Sequence, residues 1–496
     1  MNPWNKSKSS SLDVTRRGFL AGCAGCAAAC APSLAASLRQ VPARAAVALP
    51  VPPEALGQVS SETPSLPDVK PRLRLVFTHM SPEKETWPYK GYDYEGRKRE
   101  LTARLQQACP QIEFLPATAQ TAEEAKKILA GDRDIDGYVN YLVGCWTGAT
   151  GEIIAAGRPT ILIDDLYAGT GEFLIQYAAA RRKGLKVAGV STERFEDVVE
   201  AVRTFEALKK MQHSVILDVV KGDPGEVARA IESVFGTKVR KTSGEELEES
   251  FRKCDRTQAR EYADRWIREA RLIVEPSREE IDQSAVMYIA MRDLMKKYHA
   301  QAVTIDCLTL FYAGKLSAYP CLGFFQLNND GLVGGCEADL QSTVSMLLMG
   351  YLVGRPGYIS DPVIDTSKNR IIYAHCVAPS KVFGPAGKTN PYDIRSHSED
   401  RKGASIRSLM PLGEIVTTLK FDPVRKEVII HQARTTENID EDKACRTKLA
   451  AEVRDIDKLF NEWDQWGWHR ITFYGDHKRP VETVAALAGF KVVWES

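Results

Sequence analysis

The run Leu73-Arg74-Leu75-Val76-Phe77 is short and mostly apolar, with a proline-rich stretch before it and a helix-like stretch over 97–108 after it. These features predict a buried β-strand followed by a helix. The same order of strand and helix repeats along the chain, and strands that alternate with helices at this spacing form parallel βαβ units. We therefore predict an α/β fold that begins at Arg72, with further strands near 112–115, 137–142 and 160–163.

The alternation continues past this first unit and then gives way to strands. Strand-like runs near 186–190 and 214–218 are accompanied by predicted helices at 194–211, 224–235, 255–272 and 279–298. After residue 356 strand-like runs dominate, and the chain ends in a predicted strand, helix and strand at 468–474, 479–488 and 491–494. The predicted fold class is α/β, with two Rossmann-like parallel-sheet domains followed by a strand-rich, barrel-like C-terminal domain.

Composition narrows the classes of function. The 496 residues are 44% hydrophobic and 26% charged, which is typical of a globular protein and excludes a polytopic membrane protein. Lys and Arg total 66 against 65 Asp and Glu, so no surplus of positive charge exists to follow a phosphate backbone, and nucleic acid is not an expected partner. Glycine-rich motifs for dinucleotides or nucleoside triphosphates are absent from the sequence.

The N-terminus has the features of an export signal. Thr15-Arg16-Arg17-Gly18-Phe19-Leu20 places paired arginines before an uncharged stretch over 18–36, which predicts a twin-arginine signal and a twin-arginine translocase as a partner. Ala43-Arg44-Ala45 predicts cleavage after Ala45 and a periplasmic or extracellular location. Lipidation at Cys23 or Cys30 is the weaker alternative.

These features divide the chain into predicted segments. They are a signal peptide at 1–45, a proline-rich linker at 46–70, an N-terminal α/β domain at 71–165, a middle α/β domain at 166–355 and a mixed, β-rich C-terminal domain at 356–496.

Cysteine usage points away from a zinc ribbon. Three of the 11 cysteines fall in the signal, and no C-x-x-C pair occurs in the rest of the chain. Because a twin-arginine cargo folds before export, we interpret Cys307, Cys321, Cys336 and Cys376 mainly as small buried apolar residues. One disulfide among them stays open.

Four stretches of the C-terminal half carry residues that bind metals. Gly334 and Gly335 lead into an apolar helix that runs to about Leu352, and the pattern places Glu337 and Asp339 in its first turn. The other three stretches place Asp361 after an apolar run, His375 within a strand-like run, and His469 and His477 in the terminal segment.

Each of these residues also has an ordinary structural explanation. Acids in a first turn complement the helix macrodipole, an aspartate before a proline suits a turn, and a lone histidine in an apolar strand is often a core residue. His477 is predicted to follow the end of a strand near Tyr474, as a helix-entry or surface residue or at most a sugar contact. Taken together, the four stretches nevertheless supply two carboxylates and two imidazoles, and this donor set suits Mn²⁺ or a similar divalent ion.

The flanking residues extend this pattern from Pro320 to Val493. Its members are Pro320-Cys321-Leu322, Asn328-Asn329-Asp330-Gly331, Cys336-Glu337-Ala338-Asp339-Leu340, Ser360-Asp361, Ala374-His375-Cys376, Ile394-Arg395-Ser396-His397-Ser398-Glu399-Asp400 and Trp468-His469-Arg470. In this order they resemble the L-arabinose isomerase and L-fucose isomerase superfamily.

That resemblance implies a metal-dependent aldose-ketose isomerase that acts on a monosaccharide through an enediol. It implies that Glu337, Asp361, His375 and His469 hold one divalent metal, Mn²⁺ or another, and that Glu337 and Asp361 also move the proton between C1 and C2. Lower-ranked sugar contacts are Arg395, His397 and Trp468. A homo-oligomer is implied by the resemblance alone.

Two departures from the family pattern bear on the substrate. Arabinose-type members carry Glu where this chain has Asp361, which favours the fucose-like branch or an unassigned one. The segment over 143–148 lacks the histidine that arabinose-type enzymes supply to a neighbouring subunit. The alternatives are an exported sugar-binding protein without turnover, or a different metal-assisted enzyme acting on saccharides.

Overall fold

The first sheet forms around the strand predicted at the start of the α/β region. A computed structural model describes residues 64–496. Five parallel strands pair in the order β2-β1-β3-β4-β5, with helices between them. These elements are β1 (Arg72–Thr78), α1 (Tyr94–Ala108), β2 (Glu113–Ala119), α2 (Ala122–Gly131), β3 (Gly137–Leu142), α3 (Ala149–Ala155), β4 (Thr160–Asp164), α4 (Thr170–Arg182) and β5 (Val187–Ser191).

A second parallel sheet follows, in the order β10-β9-β6-β7. Its segment also contains the short strand β8, which pairs in a small separate sheet. The elements are α5 (Phe195–Gln212), β6 (Val215–Val219), α6 (Gly225–Phe235), β7 (Lys238–Thr242), α7 (Gly244–Lys253), α8 (Arg256–Glu269), β8 (Leu272–Ile273), α9 (Arg278–Lys297), β9 (Ala302–Ile305), α10 (Cys307–Tyr312), α11 (Cys321–Asn329), β10 (Val333–Gly335) and α12 (Leu340–Val353).

The C-terminal part is an antiparallel barrel. Strands β11, β12, β17, β16, β15 and β18 pair in a closed ring, and β19 adds to β16 in parallel. The elements are β11 (Tyr358–Asp365), β12 (Arg370–His375), β13 (Tyr392–Arg395), β14 (Ser405–Ser408), β15 (Ile415–Asp422), β16 (Glu427–Asn438), β17 (Thr447–Val453), α13 (Ile456–Glu462), β18 (Arg470–Tyr474), α14 (Lys478–Ala488) and β19 (Lys491–Trp494), with 3₁₀ turns at Thr366–Lys368 and Trp463–Trp466.

The predicted α/β architecture with parallel sheets and a barrel-like C-terminal domain is consistent with this arrangement. The predicted end of the first domain at 165 falls between β4 and β5, although both strands belong to the first sheet. Period and composition predict that a strand exists, but which sheet it joins depends on long-range pairing. The domain boundaries stay predictions.

The predicted signal at 1–45 and most of the linker lie outside the described residues, so export, cleavage and lipidation stay predictions. Within residues 64–496, the helices are too short or too polar to traverse a lipid bilayer.

Helix α12 joins the second sheet to the barrel. Buried Leu347 and Leu348 belong to one apolar core with barrel residues such as Leu419. The backbone N–H of Phe421 donates to the Ser345 hydroxyl at 2.9 Å, which ties β15 to the helix. The loop before α12 is thereby held against the end of the barrel.

A buried ion pair connects β18 to the residue that follows β19. Arg470 is fully buried and Glu495 is 4% exposed, and the guanidinium Nη2 donates to Glu495 Oε1 at 2.8 Å. His431 Nδ1 lies 3.1 Å from the other carboxylate oxygen. Burial raises the pKa of Glu495, but His431 and Arg470 outweigh it and lower this pKa to about 2.

We expect Glu495→Gln to lower the free energy of unfolding by about 3–5 kcal/mol, because it leaves Arg470 buried without a counter-charge. Since the pKa of Glu495 is depressed, its contribution to stability is complete above the ordinary value of 4.5 and is lost as the pH falls towards 2. Urea unfolding at several pH values measures both effects. The control Asp223→Asn, which breaks the exposed pair with Arg229, should cost less than about 1 kcal/mol. Equal losses would contradict this interpretation.

Candidate metal centre

Glu337 lies in a turn at the carboxyl end of the second sheet. It follows β10, and both Glu337 and Ala338 have left-handed backbone, with φ of 61° and 52°. This conformation costs a residue with a side chain about 1–3 kcal/mol and is often found at functional sites. The Ala338 N–H donates to the Ile305 carbonyl at 2.9 Å and fixes the turn to β9.

The prediction that both acids lie in the first turn of a helix is wrong. Helix α12 begins at Leu340, and Asp339 is its N-cap, whose carboxylate accepts from the Ser342 N–H at 2.9 Å. Because a capping aspartate marks where the helix starts, Glu337 stands before it and is free of the helical geometry.

The other three predicted ligands come from adjacent strands of the barrel. Asp361 lies within β11 and pairs with Ala374, so that His375, the last residue of β12, lies beside it. His469 precedes β18 by one residue, and β18 pairs with β11 on its other side. Antiparallel pairing therefore brings His469, from a distant part of the chain, to the neighbouring strands that carry Asp361 and His375.

Glu337, Asp361, His375 and His469, which we call the candidate centre, are connected by contacts between pairs. His469 Nε2 lies 3.4 Å from Glu337 Oε2 and 3.3 Å from Asp361 Oδ1. His375 Nδ1 lies 3.2 Å from Asp361 Oδ2. The two imidazole rings stand nearly perpendicular, with centroids 6.2 Å apart.

Neighbouring side chains orient the candidate centre. His469 Nδ1 lies 2.9 Å from Asp339 Oδ2, which leaves Nε2 directed at Glu337 and Asp361. The Trp468 indole N–H donates to Asp361 Oδ1 at 2.9 Å. The Cys445 thiol lies 3.4 Å from Asp361 Oδ2, so both oxygens of this carboxylate are engaged.

The electrostatics are those of three acids around one imidazole. Burial lowers the pKa of His469, but the hydrogen bond to Asp339 and the contacts with Asp361 and Glu337 raise it to about 11. The contact with His469 lowers the pKa of Glu337. Burial raises the pKa of Asp361, but His375 and His469 outweigh it and hold it well below its usual value. A positive charge placed among the carboxylates of Glu337, Asp339 and Asp361 therefore stabilises their ionised forms.

The residues present fit a divalent cation. Nε2 of His375 is buried and lacks a hydrogen-bond partner, and Nε2 of His469 faces the carboxylates of Glu337 and Asp361, so each nitrogen could donate a lone pair to an ion once its ring is neutral. Candidate ligand atoms of Cys336, Glu337 and His375 lie within 4.8 Å of one another, and so do those of Asp361, His375 and Cys445. Carboxylate oxygen and imidazole nitrogen suit Mn²⁺ and similar ions.

The three predicted sugar contacts have different surroundings. Trp468 is 58% exposed beside the candidate centre, so one face of its ring is open to a ligand. The guanidinium of Arg395 is paired with Glu275, its Nε lying 2.9 Å from Oε1, and also contacts Asp442. His397 stacks on Tyr319, with ring centroids 4.6 Å apart, and its Nδ1 lies 3.3 Å from Asp400.

His477 follows the end of β18 at Tyr474, as predicted, and is the N-cap of α14. It is 8% exposed, so it is not a surface residue. Its Nε2 lies 2.9 Å from the Tyr474 carbonyl oxygen, and its backbone N–H donates to Thr417 Oγ1 at 3.0 Å. These contacts explain its burial without a ligand.

Sequence analysis missed three residues near the candidate centre. Asp339 was assigned only to the helix dipole, because a cap and a histidine partner look alike in sequence. Lys420, buried in β15, interacts with Asp339, and burial lowers the pKa of this ammonium. A single lysine between Leu419 and Phe421 was the available signal. Cys445 follows a charged loop and offered none.

Comparison with known proteins gives a partial similarity to sugar isomerases. No protein-family model matches this chain. Sulfoquinovose isomerases of Priestia aryabhattai and Priestia megaterium are each 26% identical over 194 residues, which make up 38% of this chain and 42% of the relative. A sulfoquinovose isomerase of Alkalicoccus urumqiensis is 30% identical over 91 residues, or 18% of this chain and 20% of the relative. The chain thus spans less than half the length of these relatives, and the similarity supports a sugar isomerase family in general.

Proposed function

We propose that this protein is a metal-dependent aldose-ketose isomerase that acts on a monosaccharide. The observation that carries the proposal is the convergence of Glu337, Asp361 and His469, beside which His375 contacts Asp361 and keeps a buried Nε2 without a hydrogen-bond partner. The partial similarity to sulfoquinovose isomerases supports the same class of reaction.

The residue types suit this chemistry. Aldose-ketose interconversion moves a proton between C1 and C2 and shifts the carbonyl between the same carbons. Glu337, Asp361, His375 and His469 would hold the ion, which when bound would act as a Lewis acid on the neighbouring sugar oxygens. The candidate centre therefore supplies both ligands and proton carriers.

The contacts distinguish the two acids. Asp361 is engaged at both oxygens by His375, Trp468 and Cys445, and this fixes its position. The Glu337 side chain is 34% exposed and keeps one oxygen free of His469. Since its pKa is lowered, Glu337 is ionised at neutral pH and is the better placed to take a proton from a sugar carbon.

We propose Mn²⁺ as the first ion to test, because the set is mainly oxygen and nitrogen. We propose fucose-type sugars as the first substrates to test, because arabinose-type members of the family carry Glu where this chain has Asp361. The indole ring of Trp468 would stack on the sugar. We also propose that the protein forms a homo-oligomer, and this proposal rests on the family resemblance.

One experiment separates an isomerase from a sugar-binding protein. Protein purified without chelator is analysed for metals and then incubated with fucose, arabinose and sulfoquinovose in deuterated water. Formation of the ketose, with deuterium at C2 of the recovered aldose, supports isomerisation. Binding of a sugar with neither product nor exchange would favour the non-catalytic alternative.

Glu337→Gln keeps the shape of the side chain and removes its charge, so we expect turnover to fall about a hundredfold or more. The thermal midpoint should stay close to that of the parent, because this side chain is partly exposed. Glu452→Gln, at an exposed position on the barrel, is the matched control and should leave both unchanged. Parental turnover in Glu337→Gln would show that the proton carrier is misassigned.

The two terminal histidines should behave differently. His469→Ala should lose the metal and all turnover, because it removes the imidazole that contacts both acids. His477→Ala should keep stoichiometric metal and lose about 0.5–1.5 kcal/mol of stability, because it removes one buried hydrogen bond to the Tyr474 carbonyl, which keeps the guanidinium of Arg355 as a donor. Metal content of the purified variants decides the matter. Loss from His477→Ala with retention in His469→Ala would reverse the assignment.

Asp339→Asn should weaken metal binding by about 10- to 100-fold, because the carboxylate that orients His469 through Nδ1 is lost. Asparagine remains a good N-cap, so α12 should persist. Asp255→Asn makes the same change at the exposed N-cap of α8 and should leave metal affinity unaltered. Isothermal titration with Mn²⁺ compares the two, and equal affinities would limit Asp339 to capping.

A further inference from the structure

Two buried thiols lie next to the turn that carries Glu337. The sulfur atoms of Cys307 and Cys336 are 3.5 Å apart, and the two residues are 3% and 6% exposed. Two other thiols lie near the candidate centre: Cys376 and Cys445 share Ser398 Oγ, at 3.9 and 4.0 Å, and also interact with each other. Cys307 and Cys336 are the pair that adjoins Glu337.

The pair connects the ends of two neighbouring strands. Cys307 begins α10 shortly after β9, and Cys336 directly follows β10, which is parallel to β9. Cys336 is joined by a peptide bond to Glu337. The same turn is held by the hydrogen bond from the Ala338 N–H to the Ile305 carbonyl. A force applied at the Cys336 sulfur therefore acts on Glu337.

We propose that Cys307 and Cys336 are an oxidisable dithiol, and that formation of their disulfide displaces the Glu337 turn and weakens metal binding. The oxidant is a small two-electron oxidant such as hydrogen peroxide. One thiol gives up its proton and its sulfur attacks a peroxide oxygen, forming a sulfenic acid and releasing water. The second sulfur attacks the first, the S–S bond forms and another water leaves. Two thiols are oxidised to one disulfide while one peroxide is reduced to two waters.

The geometry indicates why the bond disturbs the site. A disulfide brings the sulfurs to about 2.05 Å, so the contact of 3.5 Å must close by about 1.5 Å. Cys336 is packed among buried residues, while the next residue, Glu337, is partly exposed and in left-handed backbone. The exposed turn is the part that can yield.

The proposal has two parts with separate measurements. The disulfide itself is independent of the proposed function, whereas its effect on metal binding rests on that function. The backbone amide of Ala338 reports the displacement without any metal, because its hydrogen bond to Ile305 protects it from exchange in the reduced protein.

The experiment compares the full chain reduced by dithiothreitol with the same chain treated with hydrogen peroxide. Peptide mass spectrometry without reduction should find Cys307 linked to Cys336. Hydrogen exchange of the peptide containing Ala338 should accelerate. Mn²⁺ affinity measured by titration should fall about 10- to 100-fold, and dithiothreitol should restore it.

Matched variants identify the pair. Cys307→Ser, with Cys307→Ala as a second form should the serine fold poorly, should bind Mn²⁺ like the reduced parent and lose all sensitivity to peroxide. Cys254→Ser removes a buried thiol whose sulfur faces the carbonyls of Phe251 and Val286, and it should remain sensitive.

Three results would overturn the proposal: a disulfide between Cys376 and Cys445 instead, a Cys307–Cys336 disulfide with unchanged exchange at Ala338, or peroxide sensitivity that survives in Cys307→Ser. Failure of the reduced parent to bind Mn²⁺ would overturn the metal assignment. The linked peptide and the exchange of Ala338 would then still decide whether the dithiol exists and moves the turn.

Discussion

Three carboxylates, two from the turn before α12 and one from β11, converge on the imidazole of His469, and their mutual repulsion is the constraint on which the candidate centre depends. Glu337 and Asp361 face Nε2 and Asp339 faces Nδ1. Like charges at this depth raise one another's pKa unless a positive charge lies between them. Protonated His469 supplies that charge in the metal-free protein, and a divalent ion bound by the same atoms would supply more.

The two halves of the fold contribute residues of different exposure to the candidate centre. The parallel sheet contributes Glu337 from a turn at the carboxyl ends of its strands, the edge at which open α/β sheets bind ligands. The barrel contributes Asp361, His375 and His469 from paired strands or their immediate ends, where cross-strand hydrogen bonds fix the backbone. Under the proposed function, the three residues fixed by strand pairing would hold an ion and the partly exposed acid would move a proton.

Helix α12 packs against both the second parallel sheet and the barrel. Its N-cap, Asp339, orients His469, and its interior packs between the second sheet and β15, where Ser345 accepts a hydrogen bond from the barrel. The Asp339 carboxylate thereby accepts a backbone hydrogen bond at the start of the helix and also contacts Nδ1 of His469. A change in the packing of α12 would shift both Glu337 and His469. Glu337 lies in the turn that leads into the helix, and His469 is hydrogen-bonded to the N-cap, Asp339.

Apolar spacing and glycine or proline breaks are local signals. They are enough to predict the alternation of strands and helices, the barrel-like end and the end of β18 at Tyr474. Family resemblance singled out Glu337, Asp361, His375 and His469, although their metal-binding role stays a proposal. Only the tertiary structure revealed that Asp339 contacts His469, that Cys445 reaches Asp361, that Cys307 touches Cys336 and that β5 belongs to the first sheet. These contacts join residues far apart in the chain, and they depend on strand register and on how helices pack, which the periodicity of a single segment does not encode.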